Sequence, residues 1–290
     1  MKQKIAVMLI MIMTVTMIFS SFAYAADNSV GIKVEFDKKA YVKGETAAAT
    51  LTLTSLSDEK EAGLKLGAFE THLKFDTTKL TYKSGEFDAS LFGGIADAEL
   101  TKVFQMTTDH NDIIVIAFED NKSGISLDNV DANGNLKIGT VTFDIVANTG
   151  DNIAIGFDET SYITELANKD IERIAITVPQ EDSTADIKNV IAENASAKFE
   201  TDKVTASIDI RLSNGQGAIL IAQLYDKATG LTKGTVVKPN LTASANINDI
   251  TNDITFNNIS DKANLTVKYY LWESFANMKA LTTIQPTEVQ

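Results

Sequence analysis

The 290-residue sequence contains no cysteine. Disulfide bonds, thiolate zinc sites and thiol catalysis are therefore excluded, and so is a lipid attached to an N-terminal cysteine. His72 and His110 are the two histidines, and they do not lie at metal-ligand spacing or in a nucleophile–base–acid pattern. Walker, Rossmann and nucleophile-elbow motifs are also missing. We expect a protein that is not an enzyme; an acidic glycosidase pair among the many carboxylates is the alternative.

Positive charge is scarce in this chain. The 26 Lys and Arg residues stand against 39 Asp and Glu residues, and the formal net charge is −13. An acidic protein repels phosphate backbones and anionic lipids, so we expect neither nucleic acid nor a membrane surface as a partner. With 44% hydrophobic residues and only 3 prolines, one large or two medium domains can each bury a core.

The single long apolar run lies at the N-terminus. Lys2 and Lys4 precede an apolar stretch from Ile5 to Phe19, and Ala23-Tyr24-Ala25 has the small-x-small pattern of a signal peptidase site. This pattern predicts a signal peptide over residues 1–25, cleavage after Ala25, and a secreted, extracellular or cell-surface protein. The alternative is an uncleaved membrane anchor.

The segment 67–82, GAFETHLKFDTTKLTY, has the clearest period of two in the sequence. Phe69, Thr71, Leu73 and Phe75 share one parity, whereas Glu70, His72 and Lys74 share the other. Alternation of this kind predicts a half-buried β-strand with one wet face. We therefore expect a strand of a β-sandwich whose polar outer face, including an exposed His72, is free to meet a partner.

Similar patterns predict about nine strands over residues 29–179, hence an all-β sandwich. Asn133-Gly134 is typical of a type I′ hairpin between two strands, and a parity change predicts a β-bulge near Gly139. The polar stretch 57–63 is expected to be an exposed loop. Further strands are expected at 32–36, 47–54, 103–107, 113–118, 136–145, 153–157 and 171–178.

A second domain is predicted over residues 195–285, after a polar linker or short helix at 180–194. Alternating segments there indicate about seven strands and an immunoglobulin-like sandwich. The clearest are at 198–212, 219–225, 241–247, 254–259 and 265–272.

The first domain resembles a cohesin. The resemblance covers about Ser29 to Val178 and rests on GAFETHLKFDTTKLTY, IIVIAFED and GNLKIGTVTFDIVAN, which follow one another in that order. Cohesins are nine-stranded, jelly-roll-like modules that bind dockerins in cellulosomes. The resemblance implies a non-catalytic module that binds a dockerin-bearing protein during extracellular polysaccharide degradation.

The same resemblance implies a set of partner-binding residues at the outer sheet face. Carboxylates on rigid strands can accept hydrogen bonds from a partner and steer its association. The chain departs from the family at Ala68, where many cohesins carry Asn, and at Thr108, where some carry an aromatic residue. The alternative is that these acids only solvate the sheet. The candidate residues are Glu70, His72, Thr108, Glu119, Asp120 and Asn121.

Three alternatives concern ligands other than a protein. No cofactor or metal is expected, although Asp128, Asp131, Asn133 and Asn135 resemble a short calcium loop. Trp272 lies in YYLWESFANMKAL, which resembles the close of a small β-sandwich module of secreted clostridial proteins. We interpret it as a core residue rather than a sugar platform, because one aromatic cannot form a strip. Direct carbohydrate binding, or an adhesive or structural role at the cell surface, is the alternative to a protein partner.

Overall fold

The structure, a computed structural model, describes residues 29–93, 95, 99–120, 122–242, 250–260 and 263–290. Over these residues the regular secondary structure is almost entirely β, which confirms the all-β prediction. The predicted signal peptide lies outside the described residues. No helix in the described part has the length and apolar character needed to span a bilayer.

The first domain contains, in its described residues, thirteen strands and a single-turn helix. They are β1 (Val30–Phe36), β2 (Ala40–Val42), β3 (Thr46–Thr54), α1 (Ser57–Glu61), β4 (Lys65–Phe75), β5 (Leu80–Phe87), β6 (Leu100–Met106), β7 (Ile113–Asp120), β8 (Ile125–Ser126), β9 (Leu136–Ile145), β10 (Asn152–Phe157), β11 (Glu165–Asn168), β12 (Ile176–Thr177) and β13 (Ser183–Lys188).

Two sheets enclose the core of this domain in a jelly-roll-like sandwich. Sheet I has the order β12-β1-β3-β9-β5, and sheet II has the order β2-β13-β10-β4-β7-β6, with β8 and β11 also paired to β4. Phe69, Leu73 and Phe75 of β4 pack in the core. The period of two in this segment therefore predicted the inward face of the central strand correctly.

The bulge expected near Gly139 is confirmed. Leu51 pairs with Gly139 whereas Thr52 pairs with Lys137, which leaves Ile138 as the extra residue. An extra residue on one strand reverses the parity of the side chains beyond it. Both apolar sets of β9 can thereby face the core.

The hairpin expected at Asn133-Gly134 is wrong. The strand before it, β8, pairs with β4, while β9 pairs with β3 and β5. Positive φ is found at Gly134 but not at Asn133, and a type I′ turn needs it at both positions. The loop instead closes on Asp131, whose carboxylate accepts the backbone N–H groups of Asn133 and Asn135, each at 2.8 Å.

Two other local expectations are corrected by the structure. Of the predicted strand 171–178, only β12 is a strand in the structure. Ile171 cannot begin a strand because it has a φ of 65° and ends a turn that begins at Asn168. The expected loop 57–63 contains α1, whose Asp58 and Glu59 lie in the first turn, where acidic side chains favour a helix.

The predicted linker at 180–194 is also wrong. Residues 183–188 form β13, which pairs with β10 and β2, and its Ala185 and Ile187 are buried in the first core. Val190 already belongs to the second core. Asn189 therefore lies at the boundary, and the two sandwiches follow one another without a spacer.

The second domain is a two-sheet, immunoglobulin-like sandwich. Sheet III has the order β14-β15-β18; sheet IV has the order β17-β16-β19-β20, with β21 paired to β19. The predicted strand 241–247 lies mostly outside the described residues. The strands are β14 (Val190–Glu200), β15 (Lys203–Leu212), β16 (Gly217–Asp226), β17 (Leu231–Thr242), β18 (Ile250–Asn257), β19 (Leu265–Trp272), β20 (Ala280–Thr282) and β21 (Thr287–Glu288).

A buried ion pair joins the two domains. Arg211 of the second domain donates to both carboxylate oxygens of Glu45 in the first, at 2.8 and 3.0 Å, and its other nitrogens donate to Glu193. Arg211 and Glu45 are both buried. Glu45 also accepts the backbone N–H of Val42 at 2.9 Å, which anchors the ion pair to the turn before β3.

Candidate partner-binding face

The outer side of sheet II presents its side chains in rows, because β6, β7, β4 and β11 pair in register. We call this surface the outer face. Its first row lies across the middle of the strands, its second toward the 107–112 turn and its third toward the end of β7. The rows are Val103, Ala117, Glu70 and Glu165; Gln105, Val115 and His72; and Thr101, Glu119, Ala68 and Ala167.

Glu70 and His72 lie on this face, but the prediction that they are exposed to water is wrong. Glu70 is 9% exposed and His72 only 4%. β10 and β11 pair with the same edge of β4, so the segment that joins them, 158–164, folds back over the sheet. Its Tyr162 ring stacks on the His72 ring with centroids 3.9 Å apart.

Burial shifts the pKa values of both groups. It raises the pKa of Glu70 to about 7, and repulsion from the cross-strand Glu165 adds to this effect. Burial lowers the pKa of His72 to about 4, although Asp158 opposes the shift. Since His72 is neutral at pH 7 and its Nε2 lies 3.7 Å from Glu70 Oε1, the two residues form neither a salt bridge nor a hydrogen bond.

The middle of the outer face is more apolar than the sequence pattern indicated. Val103, Val115 and Ile113 are buried there, outside the core between the sheets. Ile163, next to the stacked Tyr162, is 65% exposed. A surface that carries an exposed aliphatic side chain beside buried apolar residues is the kind of surface that takes part in protein interfaces.

Glu119 supplies an acidic edge to this surface. It is half-buried on the outer face, and its carboxylate makes no hydrogen bond or ion pair with any residue that the structure describes. A carboxylate held on a central strand with free acceptor oxygens is well placed to receive donors from a partner.

The other predicted site residues lie elsewhere. Asp120 points to the opposite side of β7 from Glu119, is buried, and accepts the backbone N–H groups of Lys122 and Ser123 through Oδ1. Thr108 lies in the turn between β6 and β7, about 20 Å along the strand from Glu119. Asn121 lies outside the described residues. The structure thus groups Glu70, His72 and Glu119, and their role in partner binding stays a prediction.

Sequence reasoning missed Tyr162, Ile163 and Glu165 as parts of this face. They belong to a segment without periodicity, and only the pairing of β10 and β11 with one edge of β4 places them there. The pairing of two successive strands with the same edge of a third strand leaves no pattern in the sequence. The sequence therefore could not predict that these three residues lie close to Glu70 and His72.

Metal binding has no clear place in the described part of the chain. No group of three or more His, Cys, Asp or Glu residues is arranged there to hold an ion. In the segment that resembled a calcium loop, the Asp131 carboxylate accepts the backbone N–H groups of Asn133 and Asn135. The absence of a cofactor remains a prediction.

Among known proteins, solved structures are similar to this chain. No protein-family model matches the chain, and no curated protein matches it. The solved structures similar to it are cohesin domains and cohesin–dockerin complexes. A type I cohesin–dockerin complex from Clostridium thermocellum is 16% identical, covering 58% of this chain and 98% of the other, with a TM-score of 0.42.

Two cohesin structures from Acetivibrio cellulolyticus are similar at the same level. A type II cohesin domain of its cellulosome is 16% identical and covers 54% of this chain and 95% of its own, with a TM-score of 0.39. The type II cohesin dyad of the adaptor ScaA scaffoldin is 12% identical and covers 90% and 97%, with a TM-score of 0.40.

Proposed function

We propose that the first domain is a cohesin-like module that binds a dockerin-bearing protein on its outer face, in the setting of extracellular polysaccharide breakdown. Two of the motifs that carry the resemblance to cohesins lie next to the outer face, which supports this proposal. FDTTKL joins β4 to β5, and AFED forms the end of β7 beside β4. The protein acts by binding and does not catalyse a reaction.

The observation that carries the proposal is that the outer side of sheet II combines an exposed Ile163, next to the Tyr162 ring that stacks on His72, with Glu119, whose carboxylate has no partner in the described part of the chain. An exposed aliphatic side chain supplies affinity by excluding water, whereas a free carboxylate steers and orients the partner. The strands beneath are held in continuous register. Little ordering is therefore needed when a partner binds.

Biolayer interferometry against a panel of dockerin modules tests this function. We expect Ile163→Asp to weaken binding at least tenfold, because a charge would then be desolvated when the partner covers this position. Glu119→Lys should mainly slow association and change its salt dependence. Matched controls beside sheet I are Val146→Asp, at the exposed aliphatic residue that follows β9, and Glu86→Lys on β5; both should bind as the parent does.

Failure of the parent to bind any dockerin would overturn the proposed partner. Equal losses in the sheet I controls would overturn the assignment of the outer face. Export is the remaining part of the proposal, and a mass spectrum of the secreted protein should begin at Ala26. A protein that retains Lys2 and Lys4 would contradict cleavage after Ala25.

A further inference from the structure

The second domain has an outward sheet face rich in aromatic residues. Alternate residues of β16 and β19, such as Leu220, Ala222, Val267 and Tyr269, pack in the second core. The intervening residues must point away from it, since side chains alternate along a strand. With Val237 of β17, which pairs with Ile221, they form what we call the aromatic face: Ile219, Ile221, Gln223, Tyr225, Val237, Lys268, Tyr270 and Trp272.

Two rings follow one another along β19. Tyr270 and Trp272 are two residues apart on the same side of the strand, hence about 7 Å apart along it. Tyr270 is 38% exposed and its row continues through Ile221 to Val237, which is 42% exposed. Trp272 was set aside as a sugar platform because a single aromatic cannot form a strip. The sheet register supplies the missing neighbour.

A hydrogen-bonding row lies beside this apolar row. Gln223 pairs with Thr235 on one side and with Lys268 on the other. The Lys268 ammonium lies 3.8 Å from the centroid of the Tyr225 ring, a cation–π contact that holds the long side chain across the face. Amide and ammonium donors thus lie one row away from the exposed Tyr270 ring and two rows away from the half-buried Trp272 ring.

We propose that the aromatic face binds a neutral polysaccharide chain. Sugar rings have apolar C–H faces that stack on aromatic rings and hydroxyl edges that need hydrogen-bonding partners. The adjacent rows offer both: Tyr270 and Trp272 stack, while Gln223 and Lys268 bind hydroxyl groups.

Charge favours a neutral ligand over the other occupants of such a face. Lys268 is the one charged side chain among the residues of the aromatic face, and it already faces the Tyr225 ring. The whole chain carries a net charge of −13, which disfavours a second copy and acidic polysaccharides. The proposal is independent of the dockerin-binding role of the first domain.

The chain contains one tryptophan, so its fluorescence reports on this face alone. Titration of the full chain with cellohexaose and xylohexaose is expected to give a saturable shift of Trp272 emission with at least one of them. Tyr270→Ala should weaken that binding about tenfold through the loss of one stacking ring. Ile163→Asp, in the first domain, should leave it unchanged, and circular dichroism checks that both variants are folded.

Three results would overturn this inference. The first is a parent protein whose emission does not shift with either oligosaccharide. The second is a Tyr270→Ala variant that binds as tightly as the parent. The third is an emission that shifts with protein concentration in the absence of sugar while the sedimenting mass doubles, which would assign the aromatic face to contacts between copies of the chain. A parent protein that binds one of the oligosaccharides but none of the dockerins would leave this inference standing and would refute the proposed function.

Discussion

At the scale of single residues, burial controls the chemistry of the outer face. Glu70 and His72 are ordinary polar residues in the sequence, and their parity predicts the face on which they lie. Their titration depends on Tyr162 and Glu165, which are more than eighty residues away in the chain. The desolvation that raises one pKa and lowers the other is therefore a consequence of packing.

The raised pKa of Glu70 predicts a pH-dependent stability. The native state holds the Glu70 proton up to a pH of about 7, whereas the unfolded chain releases it near 4.5. Ionising the buried carboxyl then costs stability, so the parent should lose stability relative to Glu70→Gln as the pH rises through this window. The expected change is up to about 3 kcal/mol, measured by urea unfolding of both proteins at pH 4, 6 and 8.

His72 contributes the opposite trend, since its lowered pKa costs stability as the pH falls from 6.5 toward 4. It is present in both proteins, so it cancels in the comparison. A difference in unfolding free energy that does not vary with pH would show that Glu70 ionises in the native state as it does in the unfolded chain.

At the scale of elements, β4 organises the first domain. β7 and β8 pair with one of its edges, and β10 and β11 pair with the other. The long strands β4 and β7 were predictable because they have enough positions to show a period. Strands of two to four residues, such as β8, β11 and β12, do not.

Gly67 allows β11 to approach β4 closely. A Cβ at this position would lie 2.3 Å from the Asn168 carbonyl oxygen and 2.7 Å from Lys169 Cα. We predict that Gly67→Ala displaces β11 and destabilises the domain by about 1–3 kcal/mol. Hydrogen exchange should accelerate at the amides of residues 166–168.

A matched control for this substitution is Gly217→Ala. An added Cβ there meets no atom within 4 Å, and Gly217 begins β16 in the second domain. It should leave exchange at β11 and the stability of the first domain unchanged. Unaltered exchange in Gly67→Ala would contradict the close approach.

At the scale of the whole molecule, the two sandwiches are joined directly. β13 of the first domain and β14 of the second are separated by Asn189 alone, whose carbonyl accepts the backbone N–H of Ser213 at 2.8 Å. The Arg211–Glu45 ion pair is buried at the same junction. A backbone hydrogen bond and a buried ion pair thus fix the orientation of the two domains.

Removing one partner of this ion pair should loosen the junction. Arg211→Met leaves Glu45 buried without its main counter-charge, and such a loss typically costs about 3–5 kcal/mol. We predict that chemical unfolding shows this loss and that small-angle scattering shows a broader distribution of domain distances. The double variant Glu45→Gln with Arg211→Met should recover part of the stability, since no charge is then stranded. A double variant as unstable as the single one would contradict this explanation.

The amino-acid sequence by itself determined the all-β class, the two sandwiches and the inward faces of the long strands, because alternating apolar residues carry that information locally. The tertiary structure alone decided what covers Glu70 and His72, where the domains meet and which aromatic residues share a face. These features depend on register and on pairing between distant segments, which decide which side chains lose contact with water and leave no local pattern in the chain.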